Sequence, residues 1–507
     1  MMSKSLTDKT LTGLNWNMLN TYANAVITTV VGIVLARLLT PRDFGLIGMV
    51  LIFTGLANLF ATLGMGQSVI RIKDLNENHI RVATTLTIIT SVAIYIIFYI
   101  TAPLMAEFFR EPKLVAILRV LALLFIIGGI TTVSYGQMQK DLDFKGIMII
   151  SISSNCTYGA ISATLAILGY GVWSLVYGRV ISSTLASIMT MKRYPVHLKP
   201  LLRKQEFKEV AGFGSGLSLS NILFYGTSNI DYLLIGRFIN PYALGLYTRA
   251  FNSVTQIIEQ ISGGIYNVLF PAFALVQDEK EKLRKAYLRT VQTVSFILLP
   301  ILFSAVIAGD YVIKGLYGSK WAGAVNSFKI LTLAGILSAT LRYSGAVAYA
   351  TGRIYAEVFR QLIYFLVLGI GAYFLIKFGI EGVAFAVLIA RVWMFLALNY
   401  LAIQIVESSW KEFLKTFIPG LANSVIMILT NAVLIFVMQN FLPAFPEEIE
   451  LLIIVVVNLV VYLSLIVFMP ASLKGDTSDW LIEKYGRYIP AKIVRFYFHF
   501  NTPQVSD

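Results

Sequence analysis

A chain of 507 residues that is 57% hydrophobic and only 13% charged falls well short of the roughly 25% charge usual in soluble domains. That composition excludes a soluble globular domain and points to an all-α polytopic membrane protein. The formal net charge of +14 does not indicate nucleic acid as a partner, because the Lys and Arg residues fall between apolar segments and form no single basic face.

In chain order, fourteen apolar stretches are expected as transmembrane helices: 11–36, 44–68, 82–105, 114–135, 147–168, 170–190, 210–236, 243–270, 288–308, 325–347, 358–377, 381–405, 412–438 and 449–469. The first runs into the second without an A-x-A-like exit, so it reads as a retained helix and not as a cleaved signal peptide. The pairs flanking Gly169 and Gly379 are so close that hydropathy by itself merges them. Dense basic stretches at Lys192-Arg193, Arg203-Lys204-Lys208 and Lys280 to Arg289 belong on the cytoplasmic side. Fourteen passes with both termini cytoplasmic satisfy that placement, and the inverted topology does not.

The longest cytoplasmic connection divides the chain. At an offset of 200 residues, A-R-L-L-T-P-R-D-F-G-L from Ala36 to Leu46 matches G-R-F-I-N-P-Y-A-L-G-L from Gly236 to Leu246, aligning Arg37 with Arg237, Pro41 with Pro241 and Gly45 with Gly245. A second echo pairs Gly169–Trp173 with Gly379–Val383, each followed by an Arg-Val step, at Arg179 and at Arg391. Six helices separate the matched elements, so the repeats share one orientation. The expected architecture is two parallel six-helix repeats forming N and C lobes around a central cavity, with two C-terminal helices added. The segments are 1–190 (N lobe), 191–209 (basic linker), 210–405 (C lobe), 406–470 (the last two helices) and 471–507 (a cytoplasmic basic-aromatic tail). The tail from Lys484 to Phe500 reads as an interfacial helix, and Gln277 to Arg289 as a solvated amphipathic segment able to meet anionic lipid.

Ionisable residues inside spans mark the site, because the bilayer rejects them unless they face an interior or an aqueous cavity. Asp231 lies near the end of the seventh span, Arg249 and Glu259 in the eighth, Arg342 in the tenth, Arg179 in the sixth and Arg391 in the twelfth. Arg249 and Glu259, ten residues apart, are separated by about 15 Å along a helix and cannot pair directly. A competing reading lets Arg37, Arg237 and Arg249 snorkel to headgroups, lets Asp231 neutralise Arg237 or Arg249, and lets a Glu–Arg pair merely fasten two helices. G-F-G-S-G at Gly212–Gly216, followed by Ser218, Ser220 and Asn221, lacks the lysine of a phosphate loop and suits close helix packing or a gate. The histidines, His79, His197 and His499, fall in loops or the tail and suggest no metal site. Cys156, the single cysteine, excludes an internal disulfide and reads as a small core hydrophobe.

No constellation composes a catalytic centre, so no enzyme and no cofactor are expected. An excess of positive charge within spans suits an anionic amphiphile carrying phosphate.

The chain resembles the polysaccharide-exporter branch of the multidrug, oligosaccharidyl-lipid and polysaccharide flippase superfamily. The resemblance rests on G-L-N-W-N at Gly13–Asn17, the Ala36–Leu46 motif, L-G-M-G-Q-S at Leu63–Ser68, D-Y-L-L-I-G-R at Asp231–Arg237, L-G-L-Y-T-R-A at Leu244–Ala250 and P-A-F at Pro271–Phe273. It covers almost the whole chain and is similar to bacterial O-antigen, colanic acid and teichuronic acid exporters. It implies a lipid-linked oligosaccharide flippase in the bacterial cytoplasmic (inner) membrane. Such a protein moves a polyprenyl-diphosphate-linked sugar unit to the external leaflet by alternating access, with membrane lipids and glycosyltransferase or polymerase proteins as partners. Charge and expected burial select Arg249, Arg342, Arg179 and Arg391 for substrate binding and Asp231 and Glu259 for charge balance or ion coupling, leaving proton and sodium gradients both open. A cation-coupled drug or small-molecule exporter of the same superfamily is the alternative; it predicts an acidic cavity in place of a cationic one.

Overall fold

The computed structural model describes residues 6–61, 65–196, 199–211, 218–443 and 445–468, all helical or connecting, with no strand among them. The Gly212–Gly216 motif, His197, His499 and the tail from Lys484 to Phe500 lie outside the described residues. Contacts divide the chain into two compact units, Met1–Thr248 and Arg249–Asp507.

In the first unit, α1 (Leu6–Leu38) and α2 (Pro41–Ala61) are followed by α3 (Met65–Arg71), α4 (Glu77–Phe109), α5 (Leu114–Leu121) and α6 (Leu123–Lys140). Then come α7 (Phe144–Ile167), α8 (Val172–Arg193), α9 (Lys204–Ala211), α10 (Ser218–Phe238) and the opening turns of α11 (Pro241–Leu275). The second unit holds the rest of α11, then α12 (Lys280–Ile307), α13 (Gly309–Tyr317), a 3-10 turn (Ser319–Ala324), α14 (Val325–Ser338) and α15 (Leu341–Ala350). It ends with α16 (Ile354–Leu375), α17 (Gly379–Ile405), α18 (Trp410–Lys415), α19 (Ile418–Phe441) and α20 (Glu447–Phe468).

Among the described residues, ten helical stretches are long and apolar enough to cross a membrane, and one of them, Tyr355–Ile405, runs for 51 residues. A bilayer core takes about 20 helical residues, so a stretch of that length has to turn back. It does so at Gly379, whose φ of 76° only glycine adopts without strain. Gly169, its partner in the second sequence echo, has φ 83° between α7 and α8. Both glycines that open the second sequence echo thus stand at a reversal between two helices.

Lipid tails supply no hydrophobic drive between helices, so small residues and polar pairs set the packing. Gly159 of α7 lies against Val31 of α1, and Asn155 donates to Asn24 across the same pair at 2.6 Å. In the second unit Asn431 of α19 and Asn458 of α20 exchange amide hydrogen bonds of 2.8 and 3.0 Å. The outer surfaces are apolar: Val26, Val30 and Val34 of α1 and Leu452, Val455 and Leu459 of α20 are all exposed, as lipid-facing side chains are.

The sequence repeat has a three-dimensional meaning inside the first unit. Pro41 and Pro241 each open a helix, where a missing N–H costs nothing. The two openings then lie against one another, so that a Cβ on Gly45 overlaps the Pro241 carbonyl and a Cβ on Gly245 overlaps the Pro41 carbonyl. This reciprocal backbone contact draws the start of α11 into the first unit.

Several expectations need correction. His79 is not in a loop: it occupies the first turn of α4, where Asn76 caps the helix and the two residues bond reciprocally, and its ring meets Glu209 of α9 at 2.9 Å. Cys156 is exposed, not a core residue, because α7 buries the arc of Gly146, Ile147, Ile150, Gly159 and Ser162. The fourth and tenth spans are each interrupted, at Ala122 and at Ala339–Thr340. Between the ninth and tenth spans, α13 and its 3-10 turn bury Ile313, Tyr317 and Trp321, and Asp310 of α13 pairs with Lys329 of α14 at 2.5 Å.

Candidate translocation site

α10 and α11 form a tight antiparallel hairpin around Asn240, whose side chain accepts the Ala243 N–H at 2.8 Å. Residues two turns either side of such a reversal face each other. Accordingly, the Tyr247 hydroxyl donates to Asp231 at 2.8 Å, and Asp231 is only 2% exposed. Arg237 turns away: it donates to the Phe108 carbonyl at 2.6 Å and lies over the Phe108 ring at 5.2 Å. Arg179 sits exposed on α8, at the flank of the buried Leu175, Gly178 and Ser182 arc.

In the second unit Arg249 lies over the Tyr317 ring at 5.7 Å, and the Tyr317 hydroxyl bonds Ser253 one turn further along α11 at 2.8 Å. The short helix α13 therefore anchors the chain around Arg249. Arg391 lies over Tyr364 at 4.9 Å, a cation–π contact that fastens α17 to α16.

Glu259 and Arg342 are the two expected residues that the structure joins. Arg342 Nη2 donates to Glu259 Oε1, linking α11 to α15. The Arg342 guanidinium also lies 5.6 Å over the Tyr266 ring. The side chains remain 49% and 34% exposed, which makes this an open pair and not a sealed structural rivet. Gly263, a turn from Glu259 on the same face, adds no side chain over it. Below the pair, a polar knot of Tyr287, Ser344 and Asn399 ties α12, α15 and α17 with bonds of 2.6 to 3.3 Å, so α15 is held from behind while its Arg342 face stays open.

Sequence reasoning missed two neighbours: Tyr266, under the Arg342 guanidinium, and Glu357 in the first turn of α16, whose Oε1 stands 3.3 Å from where a Cβ on Gly345 of α15 would lie. Starting the eleventh span at 358 left Glu357 in the loop. An acid one residue outside an apolar run, next to a tyrosine-rich turn, was the available signal. Among the described residues no three His, Cys, Asp or Glu side chains converge as metal ligands do.

Residues 34–326, more than half the chain, match the family described as polysaccharide biosynthesis protein. The chain belongs to that family. This polysaccharide biosynthesis family member is 28% identical over 354 residues to the teichuronic acid biosynthesis protein TuaB of Bacillus subtilis (strain 168), covering 69% of this chain and 73% of TuaB. It is 26% identical over 376 residues to the lipopolysaccharide biosynthesis protein WzxC of Escherichia coli (strain K12), covering 69% and 72%. Its fold is that of the lipid II flippase MurJ in an inward closed conformation, with TM-score 0.72 at 14% identity over 94% of this chain and 99% of that one. An inward-facing multidrug resistance MATE family transporter of the MOP superfamily also superposes, with TM-score 0.63 at 17% identity over 75% and 94%. The polysaccharide branch expected from the motifs is therefore the family found.

Proposed function

We propose that this protein is a lipid-linked oligosaccharide flippase that moves a polyprenyl-diphosphate-linked sugar unit from the cytoplasmic to the external leaflet for cell-surface polysaccharide export. The observation that carries the reading is the open Glu259–Arg342 pair in an apolar helical unit of a polysaccharide biosynthesis family member. A guanidinium presents fixed, forked donors that match phosphate oxygens. A carboxylate beside it keeps the cation neutralised until an anion of higher charge displaces it. The names of TuaB and WzxC, and the flippase MurJ whose fold is shared, favour a lipid-linked glycan over a drug.

Arg342 and Arg249 are assigned to attract the diphosphate, with Arg179 and Arg391 as further substrate-binding residues. Glu259 and Asp231 are assigned to charge balance or ion coupling. Alternating access needs no covalent step and no cofactor beyond an ion gradient. Fourteen passes, two six-helix repeats, cytoplasmic termini and an inner-membrane location are the topology this reading adopts, supported by the basic stretches and the matched reversals at Gly169 and Gly379. Glycosyltransferases or polymerases are the expected protein partners.

The test is leaflet exposure of a labelled polyprenyl-diphosphate oligosaccharide in proteoliposomes. Wild type is expected to flip it. Arg342→Ala is expected to lose roughly ten- to a hundredfold, as removal of a charge-assisted hydrogen bond worth about 1.5–3 kcal/mol implies, and Glu259→Gln is expected to lose rate as well. Unchanged flipping in both variants removes their roles; no wild-type flipping under proton and sodium gradients moves the protein to drug export.

A further inference from the structure

We infer that the uncharged amide face of α1, completed by Asn155 of α7, is a binding surface for the glycan of the transported lipid. It belongs to the first unit and shares no residue with the Glu259–Arg342 pair. The inference rests on the flippase reading for the carrier of that glycan, and on the first unit's own geometry for the surface.

No Lys, Arg, Asp or Glu occurs from Asn15 to Ala36 of α1 or from Gly146 to Ile167 of α7, yet the central turns of α1 are rich in amides and hydroxyls. At 3.6 residues per turn, Asn17, Asn20, Thr21, Asn24 and Thr28 fall within an arc of about 100°. Tyr22, Val26 and Val30 are exposed on the opposite side and supply the lipid-facing surface. The polar arc is open as well: Asn17, Thr21 and Thr28 are exposed, and Asn20 and Asn24 are half-buried. Further toward the helix C-terminus the same arc closes, where Leu35 is buried. Hydrocarbon cannot satisfy an open amide, so the arc faces a polar medium or a polar ligand.

The amides form a ladder with open ends. Asn155 Nδ2 donates to Asn24 Oδ1 at 2.6 Å, and Asn24 Nδ2 donates to Asn20 Oδ1 at 2.6 Å and to the Asn20 carbonyl at 2.8 Å. These bonds fix the orientation of three amides. They leave Asn20 Nδ2 as a donor and Asn155 Oδ1 as an acceptor, and the Asn17 amide as both, with no partner among the described residues. Thr21 and Thr28 donate to the carbonyls of Asn17 and Asn24 at 2.9 and 2.7 Å, which turns their oxygens into acceptors. Fastening α7 to α1 uses Asn24 and Asn155; it makes no use of Asn17. Phosphate does not suit this face, because its recognition draws on cationic donors and these two segments hold no Lys or Arg. Sugar hydroxyls each donate and accept, as an amide does with its two ends. The face runs about 16 Å from Asn17 to Thr28, which suits an extended neutral glycan.

The experiment measures binding to the full chain in lipid nanodiscs with two probes, undecaprenyl diphosphate bearing a neutral tetrasaccharide and the same lipid without sugar. Wild type is expected to prefer the glycosylated probe. Asn17→Ala and Asn20→Ala are each expected to narrow that preference by roughly two- to thirteenfold, the loss of one neutral hydrogen bond, with affinity for the bare lipid unchanged. The Asn17 side chain has no bond within the described fold to lose, so its variant keeps the test independent of stability. An unchanged preference in both variants, an equal loss for both probes, or a wild type without preference overturns the inference. Flipping of the glycosylated probe in proteoliposomes separates the two readings. Preference without flipping leaves the glycan surface standing and removes the flippase reading; flipping without preference does the reverse.

Discussion

Gly45 and Gly245 are reciprocal: each faces the carbonyl of the proline that opens the other's helix, Pro241 for Gly45 and Pro41 for Gly245. A motif repeated at an offset of 200 residues thus becomes a symmetric backbone contact. Neither glycine has room for a methyl group. Gly45→Ala and Gly245→Ala are each expected to destabilise the protein by about 1–3 kcal/mol, the usual cost of overpacking. Gly48, where a Cβ would stand 3.4 Å from Leu244, is the control, and Gly48→Ala is expected to be near neutral. Thermal unfolding in detergent distinguishes the two classes; equal stability of all three variants contradicts the contact.

The Glu259–Arg342 pair separates fastening from recognition. Reversing it as Glu259→Arg with Arg342→Glu is expected to regain the stability that each single change loses, about 1 kcal/mol for a half-exposed pair. Flipping is expected to stay low, because the guanidinium has left α15. Recovery of both quantities in the double variant reduces the pair to a helix fastener.

Asp143 sets a pH dependence outside the membrane. It caps α7 by accepting the Gly146 N–H at 3.1 Å and accepts from Arg193 Nη2 at 2.9 Å at the end of α8. Partial burial pushes its carboxyl upward, but the Arg193 and Gly146 hydrogen bonds outweigh that and hold it below its ordinary value of 3.8. A carboxyl lowered on folding adds stability above its unfolded value, and that stability is lost as pH falls through the folded one. Wild type is therefore expected to lose the contribution only below about pH 4. Asp143→Asn keeps a cap but has no such acid-dependent loss, and Asp143→Ala costs about 1 kcal/mol at neutral pH. Parallel pH profiles of melting temperature for wild type and Asp143→Asn contradict this account.

The amide exchange between Asn431 and Asn458 holds α20 to α19. Asn458→Leu is expected to cost about 0.6–2 kcal/mol, the range for polar pairs between membrane helices. The Asn431→Leu, Asn458→Leu double variant should cost less than the sum. A double-mutant cycle in unfolding titrations measures the coupling, and strict additivity rules it out.

The reversals at Gly169 and Gly379 were legible in the sequence because a short polar break with glycine is a local signal, read over a handful of residues. The helix opening at Pro41 and its copy at Pro241 were legible for the same reason. His79 was misplaced because its reciprocal bond with Asn76 extends a helix beyond the apolar run that hydropathy detects. Glu357 was missed because it stands one residue outside such a run.

By itself the sequence determined the all-α polytopic membrane class, since burial in lipid demands long apolar helices whatever their neighbours. It also marked Glu259 and Arg342 as candidate site residues. Only the tertiary structure decided that they partner each other, that Asp231 takes Tyr247 and that Arg237 turns to Phe108. Those choices depend on the azimuth and depth at which separate helices dock, and a lipid solvent that treats every apolar face alike leaves no record of docking in hydropathy.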